Sequence, residues 1–104
     1  MTQLMSIYIS DHRYEVSEVE PGMWNQSGLG RSNIHTGKIE LKESLPEDVK
    51  MSTLLHEVVH QIFDLYDLPA KDETMISVIS NEMRSFIMKN PEIIARIQQN
   101  GFTG

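Results

Sequence analysis

Apolar residues along this chain change their spacing once, close to residue 45. Upstream they alternate, as Ile7 and Ile9 and then as Tyr14 and Val16 with Val19 nearby, which is the two-residue repeat of half-buried strands. Asp11, His12 and Arg13 between the two runs read as a turn. From residue 20 to residue 37 the alternation fails. Pro21, Gly22, Gly28, Gly30 and Gly37 punctuate a polar stretch with a lone Trp24, predicting a long loop of the kind that carries function in compact domains. A short strand follows at Lys38 to Leu41, with Ile39 and Leu41 on one face.

Downstream the spacing becomes helical. Ser44 and Glu47 have the separation of a capping box, and Pro46 suits a first turn, so a helix begins there or nearer Ser52. Met51, Leu55, Val58, Ile62 and Leu65, flanked by Leu54, Val59 and Tyr66, form its apolar stripe, and the helix is expected to end near Leu68 and Pro69. A second helix starts at Asp72 as N-cap, with Met75, Ile76, Ile79, Met83, Phe86 and Ile87 at helical spacing. Methionines on these two helices read as core filler. A third helix is fully punctuated, with Asn90 as N-cap, Pro91 at the first position and Gly101 past the end; Ile93, Ile94 and Ile97 supply its buried side. Strands first and helices after predict an α+β fold: a small N-terminal antiparallel or mixed sheet packed on the first helix and two further helices. With no repeat, low-complexity tract or linker, residues 1–104 are expected to form a single domain.

Composition narrows the classes. At 104 residues, 39% hydrophobic and 23% charged, one modest core is all the chain can bury. A net charge of −6 with nine scattered Lys and Arg argues against a nucleic-acid binder and supplies no basic stripe for anionic lipid. Without cysteine there is no disulfide framework, and any metal would be held by nitrogen and oxygen. Residues 1–10 lack a basic segment leading into a long apolar run, and eighteen apolar residues never occur together, so a cytoplasmic protein without membrane partners is expected.

The candidate chemistry sits in HEVVH, His56 to His60, inside the first amphipathic helix. Residues four apart on a helix stand one turn above each other, so both imidazoles can reach one Zn²⁺. Glu57 projects about 100° round the helix from His56, where its carboxylate meets water activated at the metal instead of the metal itself. That is the arrangement of zinc-dependent peptide hydrolysis, with Glu57 as general base. Two histidines on a helix are often surface or core residues that bind nothing. Glu57 between them, with Leu54, Leu55, Val58 and Val59 around them, favours the metal reading.

A catalytic zinc needs a third protein ligand and an open position. A metzincin would continue with glycine and histidine where this chain has Phe63 and Tyr66. A carboxylate on the following helix is the natural source, because a short connection folds that helix back beside the histidine face. Glu73, in its first turn, is favoured, although the helix dipole alone would also reward an acid there. Asp72 reads as the cap, and Glu82, beside Ile79 and Met83, is the competitor. His12 and His35 have no ligand spacing and read as loop histidines. Asp64, one turn after His60, is a candidate acceptor for the second imidazole N–H. Tyr8, Tyr66 and His35 are equal candidates to donate to an oxyanion, and no spacing selects among them.

Taken together, a glycine-containing loop (GLGRSNIHTG), a strand (KIEL), LPEDVKMSTLLHEVVHQIFDLYDLP, an acidic helix start (KDETM) and a closing NPEII resemble the small zincin-like metallopeptidases of phages and mobile elements, related to the ImmA/IrrE type. HEVVH is the specific part; the N-terminal strands are generic. The resemblance implies a minimal zincin fold, with His56, His60 and Glu73 as zinc ligands and Glu57 as base. Two departures limit it: Ile76 and Ser77 follow where the ImmA/IrrE type has an alanine-asparagine pair, and a helix-turn-helix domain is not expected within these 104 residues. Repressor cleavage is therefore not carried over.

The expectation is a zinc metallopeptidase acting on a peptide or protein. The strand at Lys38 to Leu41 would be an edge on which an extended substrate docks, and so small a domain would offer a shallow cleft suited to flexible peptides. One alternative is a non-catalytic regulatory or binding protein using zinc as a fold staple, with His35 or Glu82 closing the coordination. Another is a metal-free interaction module.

Overall fold

The computed structural model describes residues 2–24, 27–69 and 72–101. Strands β1 (Thr2–Ile9), β2 (His12–Val19), β3 (Gly30–Asn33) and β4 (Lys38–Lys42) precede helices α1 (Glu47–Leu65), α2 (Glu73–Lys89) and α3 (Pro91–Asn100), and a single 3₁₀ turn covers Pro21–Met23. The architecture is α+β, with a four-stranded mixed sheet in the order β1-β2-β4-β3. β1 and β2 form an antiparallel hairpin, β2 and β4 pair in parallel with Val16 opposite Ile39, and β3 and β4 are antiparallel with Ser32 opposite Ile39.

The N-terminal alternation does what its period implies. Tyr14, Val16, Ile39 and Leu41 are buried on the sheet, joined by Ile9 and by Leu54 of α1. Met51, Val58, Ile62 and Leu65 pack onto the same cluster, so α1 lies along the sheet on its apolar stripe. The hairpin turn is tighter than the three residues expected: Ile9 pairs with His12, and Ser10 takes a left-handed φ of 55° to reverse the chain.

Two strand expectations are corrected. Residues 30–33, inside the stretch read as loop, form β3, and β4 is an interior strand paired on both sides rather than an edge. β3 escapes apolar periodicity because its sequence is Gly-Arg-Ser-Asn, with small residues where the strand faces α1. The edge beside α1 is therefore β3.

Helix ends also differ in detail. Pro46 is the N-cap of α1, and Ser44 sits before it with a left-handed φ of 71°, so the expected Ser44–Glu47 capping box does not form. α1 stops at Leu65, three residues early, because Asp67 turns left-handed (φ 52°). The Leu68 N–H then donates to the Phe63 carbonyl at 2.8 Å, which closes the helix before Pro69. α2 starts where expected, with the Asp72 carboxylate accepting from the Met75 N–H at 3.0 Å. Residues 70 and 71, in the expected connection and in the KDETM stretch, lie outside the described residues.

Burial along the last two helices is less than their spacing predicts. Ile76 is fully buried, but Phe86, Ile87, Ile93 and Ile97 are exposed. α3 has Pro91 and Gly101 at its two ends as expected, yet it packs chiefly on α2, and the Asn90 side chain donates back to the Phe86 carbonyl instead of capping α3. Among the described residues no helix is long and apolar enough to cross a membrane.

Candidate metal centre

Helix α1 lies between the sheet and α2, so its two flanks do different work. His56 and His60, one turn apart, stand on the side that meets α2, with ring centroids 4.8 Å apart and planes inclined by 69°. The Asp72 cap fixes the first turn of α2, and from that turn Glu73 reaches back to both rings. Glu73 Oε2 is 2.8 Å from His56 Nε2, and Glu73 Oε1 is 3.0 Å from His60 Nε2.

Among the described residues these three side chains form a group that could hold a metal ion, with ligand atoms all within 4.8 Å of one another. A tetrahedron with metal–ligand bonds of about 2.0–2.1 Å has edges of roughly 3.3 Å. The two separations from Glu73 Oε2, 2.8 Å to His56 Nε2 and 3.3 Å to His60 Nε2, are close to that edge, so Glu73 is placed to share an ion with either imidazole. Burial acts to raise the Glu73 carboxyl above its ordinary value, but hydrogen bonds and charge from His56 and His60 outweigh it, leaving the group lowered.

Glu57 points elsewhere. It is 7% exposed, turned from the imidazoles towards β3, and its Oε1 accepts a hydrogen bond from the Ser32 hydroxyl at 2.7 Å. Gln61, one turn later on the same face, donates from Nε2 to Ser32 Oγ at 2.9 Å and accepts at Oε1 from the Tyr14 hydroxyl at 2.8 Å. Burial, and secondarily the Asp64 charge, push the Tyr14 phenol up from its ordinary value. Close approach of β3 to α1 depends on Gly30, where an added Cβ would lie 2.7 Å from Thr53 Cγ2 and 3.4 Å from Glu57 Cγ.

Ser32 and Gln61 were not singled out by sequence reasoning, and Gly30 was read only as loop punctuation. A signal was available for each: Gln61 follows Glu57 by one turn within the sheet-facing stripe, and Gly30 and Ser32 place small residues at alternate positions.

Of the two carboxylates offered by α2, the structure brings Glu73 to the imidazoles and not Glu82. Nine residues on, Glu82 points about 180° away and lines an apolar groove with Val78, Met83 and Phe86. His12 and His35 are exposed and outside the donor group; the His35 N–H is held by the Asn33 side chain in the β3–β4 turn. Asp64 accepts from Gln61 Nε2 at 3.3 Å, and no bond joins it to His60 among the described residues. Tyr8 and Tyr66 line a separate groove with Val58 and Ile62, so neither faces the donor group.

β3, α1 and α2 enclose a cleft of about 880 Å³ that contains His56, Glu57, His60 and Glu73, with Asn81 and Arg84 on its α2 wall. Arg31 braces the approach to β3, pairing with Glu40 at 2.8 Å and stacking 4.8 Å from the Trp24 ring centroid. No family model, curated protein or solved structure matches this chain.

Proposed function

We propose that the chain is a zinc-dependent metallopeptidase of minimal zincin-like type, related to the ImmA/IrrE group, with His56, His60 and Glu73 holding Zn²⁺. The observation that carries this reading is the separation of roles on one helix. Two imidazoles and Glu73 converge on a point, while the intervening Glu57 lines the same cleft without joining the donor group. Two imidazole nitrogens and one carboxylate suit zinc in a chain without cysteine. The described residues bring three donors together, the number that a catalytic zinc site draws from the protein.

When bound, zinc supplies a Lewis acid that polarises the scissile carbonyl and brings the pKa of water to about 7. Glu57 accepts the proton of the attacking water and passes it to the leaving amine as the C–N bond breaks. The free edge of β3 binds an extended peptide by strand addition and holds it along the cleft. A cleft open at the surface favours flexible peptides over folded substrates.

The test begins with protein purified without chelator, which should carry about one Zn²⁺ per chain and lose it in His60→Ala. Glu57→Gln should keep zinc and fold while hydrolysis of a peptide library falls by roughly 10²-fold or more. Full zinc occupancy in a His56→Ala/His60→Ala double variant, or undiminished turnover in Glu57→Gln, refutes the proposal.

A further inference from the structure

Behind Glu57 runs a chain of buried polar groups whose chemistry allows one direction only. Tyr14 and Gln61 are each 1% exposed, and the Tyr14 hydroxyl lies 2.8 Å from Gln61 Oε1. Gln61 Nε2 lies 2.9 Å from Ser32 Oγ and 3.3 Å from Asp64 Oδ2, and Ser32 Oγ lies 2.7 Å from Glu57 Oε1. An amide nitrogen only donates, and a carboxylate only accepts. The Asp64 carboxylate therefore fixes the nitrogen end of Gln61 on its side, and the Tyr14 proton is taken by the oxygen end. Ser32 Oγ receives an N–H from Gln61, so its own proton is left for Glu57. A flipped amide would set Gln61 Oε1 against the Asp64 carboxylate and draw the Ser32 proton away from Glu57. Glu57 Oε2, by contrast, carries no hydrogen bond among the described residues, and Glu57 lines the cleft.

We infer that Ser32 and Gln61 are positioning residues for Glu57. The Tyr14–Gln61–Ser32 chain keeps Oε1 permanently hydrogen-bonded and leaves Oε2 as the oxygen that exchanges protons in the cleft. A glutamate side chain has three rotatable bonds, and one strong donor at a known oxygen removes most of that freedom before substrate arrives. Ser32 also belongs to the edge strand, so its backbone lies where a peptide would dock while its side chain orients the base. The catalytic consequence rests on the metallopeptidase reading; the orientation of Glu57 does not.

The experiment measures Glu57 side-chain rotamers by NMR scalar couplings on the full chain, zinc-free and zinc-loaded. Wild type should show one rotamer, Ser32→Ala a mixture, and Ser32→Thr, which keeps the hydroxyl, one rotamer again. In peptide hydrolysis Ser32→Ala should lower kcat by roughly 10-fold to 100-fold, as loss of an outer partner does, with KM and zinc affinity unchanged. In a Glu57→Gln background the same substitution should have no further effect. A single Glu57 rotamer in folded Ser32→Ala overturns the inference. Should that variant not fold, Gln61→Leu is measured in its place, and a single rotamer there overturns it equally. A wild type that takes up no zinc or cleaves nothing would refute the metallopeptidase reading, while the rotamer measurement still decides this one.

Discussion

Replacing Gly30 by alanine tests the contact between β3 and α1 that sets the position of Glu57. Gly30 lacks a left-handed φ, so alanine costs nothing in backbone strain and the effect is one of space. The new methyl would sit 2.7 Å from Thr53 Cγ2 and 3.3 Å from Leu41 Cδ2. Carbon atoms in contact prefer about 3.5–4.0 Å. Thr53 cannot simply turn aside, because its Oγ1 donates to the Val49 carbonyl at 2.7 Å and a β-branched side chain on a helix has few χ1 choices. Overpacking of this kind costs about 1–3 kcal/mol, and the stiffer unfolded chain returns about 0.4–1 kcal/mol. A net loss of about 1–2 kcal/mol is expected, and Tm should fall by about 4–8 °C for each kcal/mol in a domain of this size. Urea unfolding followed by circular dichroism measures it. Thr53→Ser removes the clashing methyl and keeps the hydroxyl, so the double variant should recover about 1 kcal/mol beyond additivity. Unchanged stability in Gly30→Ala, or additive losses in the double variant, would refute the packing described for β3.

Further outcomes follow from the donor group. Glu73→Ala should weaken zinc binding far more than Glu82→Ala in a competition titration, since Glu82 faces the opposite side of α2; the reverse ranking would move the third ligand. Asp72→Ala should cost about 1 kcal/mol through loss of the cap and loosen zinc as the turn carrying Glu73 frays, with equilibrium unfolding and metal affinity as the two measurements. In the zinc-free chain the folded Glu73 carboxyl titrates below its ordinary value. Its stabilising contribution is therefore full above the unfolded value and lost as pH falls through the folded one, so Glu73→Gln should flatten that part of the acid limb. A carboxyl carbon titration of Glu73 at or above the usual glutamate range would contradict the contacts with His56 and His60.

Features that were legible in the sequence share a cause: they depend on neighbours a few residues away. The i, i+4 spacing of His56 and His60 and the cap at Asp72 that places Glu73 are local, and the structure brings those side chains together. β3 was hidden because an edge strand lying close to a helix needs small residues where apolar ones would announce it. Reading β4 as an edge failed for the same reason, since its true neighbour had been read as loop. Gln61 drew no notice in the sequence because only Tyr14 and Ser32, from two different strands, offset the cost of burying its amide. The exposure of Ile93 and Ile97 was unreadable because helical spacing reports which side is apolar, not whether another element lies against it.

Distance along the chain separates the two halves of the centre. The donor contacts span 13 and 17 residues, whereas the bonds that orient Glu57 close spans of 25, 29 and 47. Closing a flexible loop costs entropy that grows as the logarithm of its length, so the 47-residue closure is about 0.9 kcal/mol dearer than the 17-residue one. It also draws on two strands of the sheet, whereas the donor contacts join α1 to α2 alone. On the proposed metallopeptidase reading, ion capture and alignment of Glu57 would then be separable events as the chain assembles or loosens under denaturant. Metal content, measured alone, would then overstate the fraction of molecules in which Glu57 is aligned.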